Sequence, residues 1–436
     1  MAKLNQIKVI TLITLAFVIT IIFAIHPFFS ISLAQRPMVK DPNLKVEIFA
    51  QGLNSPTSMA FLDSNHILVL EKETGAVRLI LNGQLQNRPV LKVSVNSEVE
   101  RGLLGIATMD IITQTHTPSP IDNSTTITKR YVFLYYTEES NNGQALRNRV
   151  YKYQWNGENL VNPVLILDLP AIPGPNHDGG KLMMSPQDHY LYAITGDLNH
   201  RGQLQNIKDG PASDNTSVIL RVNPLDGSPA KNNPFVNNCK SPIISRYYAY
   251  GIRNSFGLAF DSVSHRLWDT ENGPDEYDEI NVVKPGFNSG WIKVMGPIAQ
   301  SGISEDQLVN LPGSKYNDPV FSWKNPVAVT GIEFLNSSKL GQQYKDNVFV
   351  GDYNNGNLYF FALNNTRTGF NFNSNQQQPG PLTDLVAEND DEVFKVTFGT
   401  GFGSITDIKT GPDGYLYIVS IADGNIYRIL PVSTVQ

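Results

Sequence analysis

One unit recurs along this chain: a short alternating strand, a turn rich in Asp, Asn and Gly, a second strand carrying aromatic residues, and often a third ending in Tyr or Arg. Six copies can be read. They are SMAFLDSNHILVLEKETGAVRLI from Ser58, and GLLGIATMD with YVFLYYTEE and RVYKY from Gly102. Next come KLMMSPQDHYLYAITGD with SVILRVN from Lys181, and GLAFDSVSHRLWDTENG with EINVV from Gly257. The last are GIEFL with NVFVGDYNNGNLYFFAL from Gly331, and ITDIKTGPDGYLYIVSIADGNIYRI from Ile405. Strands at short spacing also suit a sandwich, but repetition of one supersecondary unit favours a β-propeller, whose radial arrangement leaves few open sheet edges. The segment KVEIFAQGL (Lys45 to Leu53) can add a strand to the repeat that contains IYRIL, closing the ring with the first and last parts of the chain. The expectation is an all-β fold, a six-bladed β-propeller over 36–436 as a single domain, with the ligand site above the central channel.

Ahead of it lies an apolar signal or anchor segment, 1–35. Lys3 and Lys8 precede the run from Val9 to Ile25, and Ser32-Leu33-Ala34 offers a cleavage site. The run is slightly long for a signal-peptide core and slightly short for a membrane span, so a cleaved leader and a retained membrane anchor both stay open. Either one places the rest of the chain outside the cytoplasm, secreted, periplasmic or at the cell surface. Sequons at Asn123, Asn215, Asn336 and Asn364 agree with that address. Cys239 is the only cysteine, so neither an intrachain disulfide nor a thiolate metal cluster is available. With 17% charged residues and a net charge of −6, the chain lacks the basic footprint of a nucleic-acid or anionic-membrane binder.

Three stretches carry candidate chemistry. In GPNHDGGKL, His177 stands between Asn176 and an acid followed by two glycines, and Asp197 ends the next strand in AITGD. If those two strands are neighbours in one blade, the hairpin returns Asp197 to His177. A carboxylate on one imidazole nitrogen fixes the tautomer and leaves the other as a general base. In YGIRNSFGLAF, Arg253 and Asn254 precede the fourth repeat at the place His177 holds before the third, and Glu100 with Arg101 holds the same place before the second. Three repeats thus aim polar side chains at one rim. The stretch DTENGPDEYDEINVVKPGFNSGW, Asp269 to Trp291, is rich in the oxygen donors that Ca²⁺ prefers, without EF-hand spacing. The remaining histidines of the mature chain show no metal-ligand spacing.

Together, ERGLLGIA, NHDGGKL with AITGD, LRVNPLDGSPAKNNPF, YGIRNSFGLAF, ENGPDEYDEINVV with NSGW, and GPDGYLYIV resemble the soluble quinoprotein sugar dehydrogenases, the glucose/sorbosone dehydrogenase family. The resemblance implies a six-bladed propeller holding pyrroloquinoline quinone (PQQ) and Ca²⁺ over the channel. It implies oxidation of an aldose at its anomeric hydroxyl to a lactone, hydride passing to the quinone and then to an external electron acceptor. By the same resemblance His177 is the base and Asp197 its orienting partner. Arg253 meets substrate and cofactor, and Glu100 lies near both. Asn176, Asn254, Trp323 and Tyr353 touch the cofactor. The carbonyls of Gly273 and Pro274 hold the cofactor-side Ca²⁺, and Glu279 with the Ser289 carbonyl holds a second, structural one.

One departure matters. The Lys and two Arg that usually grip the cofactor's carboxylates are replaced by Tyr353 and Asn354, and by Ser404 and Thr406. Lys293, Lys324 and Arg201 lie on neighbouring loops as candidate substitutes. Two other functions remain open beside the dehydrogenase: a non-redox propeller binding a carbohydrate or protein, which the weakened grip favours, and a calcium-dependent lactonase. The lactonase would need a Ca²⁺ chelated at the channel centre by carboxylates from several blades, and the acids here cluster in one stretch instead.

Overall fold

In the computed structural model, residues 36–116, 124–237, 241–372, 382 and 384–432 are described; the N-terminal segment 1–35, Asn123 and Cys239 lie outside them. The strands form six sheets of four to six strands, mostly antiparallel. Their innermost strands are Pro56–Phe61, Leu103–His116, Leu182–Met184, Ser255–Phe260, Val329–Phe334 and Ile405–Thr410. Each touches the next in chain order, and the last touches the first. That closed cycle defines a β-propeller. Each inner strand falls where a sequence repeat begins.

The packing explains why the strands read as nearly unbroken apolar runs. Successive side chains of a strand point to opposite faces, and here both faces are covered by neighbouring sheets. In the first sheet Leu68 and Leu70 pack against Val132 and Leu134 of the second. Ile67 and Val69, between them in sequence, pack against Val419 and Ile426 of the sheet formed last. The same division recurs in the third sheet, where Ala193 faces Phe133 and Tyr135 while Tyr192 and Ile194 face Leu258 and Leu267. Trp268 and Ile280 then meet Val348 and Val350, and Phe349 and Phe360 meet Ile408 and Ile418.

Ring closure uses both ends of the propeller segment. Leu44–Gln51 pairs antiparallel with Asn425–Pro431, with Val46 opposite Ile429 and Ile48 opposite Tyr427. Tyr344 donates a hydrogen bond of 2.7 Å to Asp41 from the adjoining sheet, so the closing strand is tied on both sides. Among the described residues no helix is long and apolar enough to cross a membrane.

Candidate active site

All six inner strands, or the residues leading into them, meet at one cavity of about 510 Å³. Thr57, Leu104, Lys181, Phe256, Thr330 and Thr406 contribute one wall position each. His177, Glu100, Arg253, Asn254, Gly273 and Tyr353 also line it. Loops from separate repeats therefore do converge, and the size lies within the range of small-molecule sites.

The strands Leu182–Met184 and Leu191–Thr195 pair antiparallel, which carries Asp197 back to His177. The His177 Nδ1 to Asp197 Oδ1 distance is 2.6 Å. Asp197 is itself held, accepting from the Trp291 indole N–H at 2.7 Å and from the Asn199 amide at 2.7 Å. A carboxylate so fixed takes the proton on Nδ1, and the lone pair is left on Nε2. The His177 amide donates to Glu100 at 2.6 Å, and Asn254 Nδ2 reaches the same oxygen at 3.1 Å. Three repeats are thereby joined through one carboxylate.

Arg253 is bound to the dyad through the backbone. Its carbonyl accepts from the Asp197 amide at 2.8 Å, its guanidinium donates to the Asn272 carbonyl at 2.9 Å, and it lies 5.2 Å over the Trp291 ring. Trp291 thus touches both the acid behind His177 and the arginine. Two polar atoms here, Arg253 Nε and Asn254 Oδ1, are buried with no hydrogen-bond partner among the described residues. Buried polar atoms are seldom left so, and a ligand in the cavity would relieve them.

The glycines after His177 bring the chain close to the neighbouring sheet: Gly180 has φ +93°, and a Cβ there would lie 2.8 Å from that of Leu104. Asp178, between His177 and those glycines, is fully buried. It accepts from Asn148 at 2.9 Å, and burial pushes its carboxyl up to about 7. Because the folded pKa is raised, its contribution to stability is whole below the unfolded value near 3.9 and is lost as pH rises through about 7. Asp178→Asn removes that loss: thermal melts of variant and wild type should coincide near pH 4 and separate by a few degrees near pH 8, the variant higher. Parallel melting curves across this range would contradict the assignment.

Other residues fall elsewhere. Trp323 is fully buried, its ring packed 4.8 Å from Phe321 and 5.0 Å from Tyr359. It does not line the cavity, because pairing with Asp278 turns it into the space between two sheets. Asn176 is half-buried outside the cavity wall, and Pro274 is exposed. Arg101 turns away, donating to Glu98 at 3.2 Å and to the Ala171 carbonyl at 2.5 Å, and so fastens the loop that leads to His177. Lys293, Lys324 and Arg201 do not line the cavity; its cations are Arg253, Lys72 and Lys181. The two lysines have no motif of their own. The mark of Lys181 in sequence is its place four residues after His177, at the start of an inner strand.

The acidic stretch is mostly strand. Asp269 stands opposite Asn281, and Glu271 opposite Glu279. All three acids are buried, and Ser289 Oγ donates to Glu271 at 2.6 Å. Burial pushes Asp269 and Glu279 well above the usual carboxylate range and Glu271 to about 7. Both Asp269 oxygens lack partners among the described residues. An all-oxygen donor set of this kind suits a hard cation. Among the described residues, however, no three acidic, His or Cys side chains converge as a cage, so carbonyls or water would have to complete the shell. Asp269 and Glu271 were legible as an acid at every second position of a strand otherwise buried.

With that geometry, the chain belongs to the glucose/sorbosone dehydrogenase family, whose pattern matches residues 53–428. It is 26% identical to the aldose sugar dehydrogenase YliI of Escherichia coli (strain K12), over 89% of this chain and 93% of that one. It is 27% identical to the quinoprotein glucose dehydrogenase B of Acinetobacter calcoaceticus, over 69% of this chain and 62% of that one. The PQQ-bound form of the aldose sugar dehydrogenase from Streptomyces coelicolor superposes with a TM-score of 0.62 at 25% identity, covering 90% of this chain and 99% of that one.

Proposed function

We propose that the protein is a PQQ- and calcium-dependent aldose dehydrogenase that oxidises the anomeric hydroxyl of a sugar to a lactone. The observation that carries this reading is the His177–Asp197 pair, held at 2.6 Å on the wall of a cavity that Arg253 also lines. His177 Nε2 accepts the hydroxyl proton, and Asp197 stabilises the imidazolium that results. Arg253, braced by Asn272 and Trp291, presents a fixed positive charge to the oxygen that loses the proton. Glu100 and Asn254 hold the loops of His177 and Arg253 in register. When bound, PQQ supplies the two-electron acceptor and Ca²⁺ the Lewis acid that makes it more electrophilic. Gly273 and Pro274 would offer carbonyls to that ion; Glu279 and Ser289, with Glu271 and Asp269, would serve a second.

The six sheets are read here as six blades of one domain over 36–436. The basic and apolar start of the chain supports an address outside the cytoplasm, its N-terminus a leader or an anchor, with an external electron acceptor completing the cycle. The lactonase alternative asks for a cation at the channel centre, where this chain puts Lys181 and Lys409 against Asp407. The binding-only alternative leaves the His177–Asp197 pair without a task. Isothermal titration with PQQ, with Ca²⁺ and again with a chelator, tests the reading: saturable, Ca²⁺-dependent uptake followed by sugar-dependent dye reduction is expected. Uptake without dye reduction for any aldose would leave a binding protein instead.

A further inference from the structure

We propose that Lys181 and Lys72 form the anion-binding part of this cavity and hold the carboxylates of the quinone, replacing the Lys and two Arg that the chain lacks at Tyr353, Asn354, Ser404 and Thr406. This rests on the cofactor reading above and concerns which residues of this chain grip that cofactor.

The argument is one of donors. A tricarboxylate needs N–H or O–H groups that are not already used. The hydroxyls lining the inner wall are used: Thr57 donates to the Leu103 carbonyl at 2.8 Å, Ser58 to that of Leu104 at 2.8 Å, Thr330 to that of Ile405 at 2.7 Å, and Thr406 to that of Pro56 at 3.0 Å. Arg253 is partly engaged by Asn272, and Asn254 Nδ2 by Glu100. Apart from the exposed Tyr353 phenol, the ammonium groups remain. Lys181 Nζ donates to Asp407 Oδ1 at 2.5 Å, and its other two N–H bonds have no partner among the described residues. Lys72 Nζ has one, the Ser97 carbonyl at 3.1 Å.

Lys181 is also held in place. It is only 5% exposed, and its partner carboxylate is pinned by the amides of Met59 and Ile408, both at 3.0 Å. Lys409 lies 3.8 Å from the same carboxylate, a second cation on one acid. Glu333, fixed by the Thr410 amide at 3.0 Å, offsets that second cation. Structural stability alone gives little reason to keep such a pair, since an apolar replacement of similar volume is often as stable. A preorganised ammonium at the wall of a ligand cavity does give one.

The test uses the purified full chain, titrated with PQQ in the presence of Ca²⁺ and, separately, with the trimethyl ester of PQQ, which lacks the three charges. Two variants are compared with wild type: Lys72→Met, and the double variant Lys181→Met/Asp407→Asn, which removes both charges of that pair and leaves Lys409 to Glu333. Each should weaken PQQ binding by roughly ten- to a hundredfold, leave ester binding unchanged, and flatten the salt dependence of the PQQ affinity. Circular dichroism checks folding, and if the double variant does not fold, Lys72→Met and the ester titration of wild type decide. Variants that bind PQQ as tightly as wild type overturn the lysine assignment alone. Wild type that takes up no PQQ overturns the cofactor reading and the assignment with it.

Discussion

His177→Ala is expected to lower turnover of the PQQ- and Ca²⁺-reconstituted protein by about a hundredfold to ten-thousandfold, the usual worth of a positioned general base. Quinone affinity should stay within severalfold of wild type. The separation follows from the geometry. The His177 amide bond to Glu100 needs no side chain and survives in alanine, and Asp197, though it loses Nδ1, keeps the N–H groups of Trp291 and Asn199. Asp197→Asn should be milder in structure but still slow. The amide keeps an acceptor for Trp291, yet no longer stabilises an imidazolium. Turnover is read by sugar-dependent dye reduction at saturating sugar, and binding by titration with PQQ. A His177→Ala protein that keeps wild-type turnover would remove the imidazole from the reaction.

How much of this could be read from the chain alone differs from residue to residue. The repeats were legible because each strand is buried on both faces, so every copy carries the same apolar signature between the same turn residues. Closure of the ring was legible too: an orphan strand before the first repeat has only the last repeat to join, and Leu44–Gln51 does pair there. His177 and Asp197 were legible together because a single hairpin relates them, and hairpin pairing is local. Contacts that cross between sheets were not. Lys181 meets Asp407 226 positions away in the chain, and nothing in KLMM or ITDIK announces that meeting. Trp291, at the end of a quoted motif, is 94 positions from Asp197. Trp323 shows the opposite error. Strand register sends its ring into an apolar interface, and a slip of one residue in register would turn every side chain of the strand to its other face.

Gly196→Ala should be a damaging single methyl, because it falls between the backbones of His177 and Arg253. A Cβ at this position would sit 2.2 Å from the His177 carbonyl oxygen and 2.7 Å from that of Arg253. Neither obstacle is the free end of a side chain. The Arg253 carbonyl accepts from the Asp197 amide at 2.8 Å, and the Gly196 carbonyl accepts from that of Ser217 at 2.8 Å. Relief therefore has to move the backbones of His177 and Arg253 apart by something near 1 Å, and misplacement of that size is enough to cost about a hundredfold in rate. Forced overpacking should also lower stability by about 1–3 kcal/mol. Gly369→Ala is the control, since its nearest neighbour would be the Asn364 amide nitrogen at 3.4 Å, an ordinary contact far from the cavity. The pair is read by thermal melting and by dye reduction. Gly369→Ala should match wild type in both, and Gly196→Ala should lose both rate and melting temperature. A Gly196→Ala protein with full activity would mean that the base and the arginine need not be held edge to edge, and the glycine in AITGD would then serve strand pairing alone.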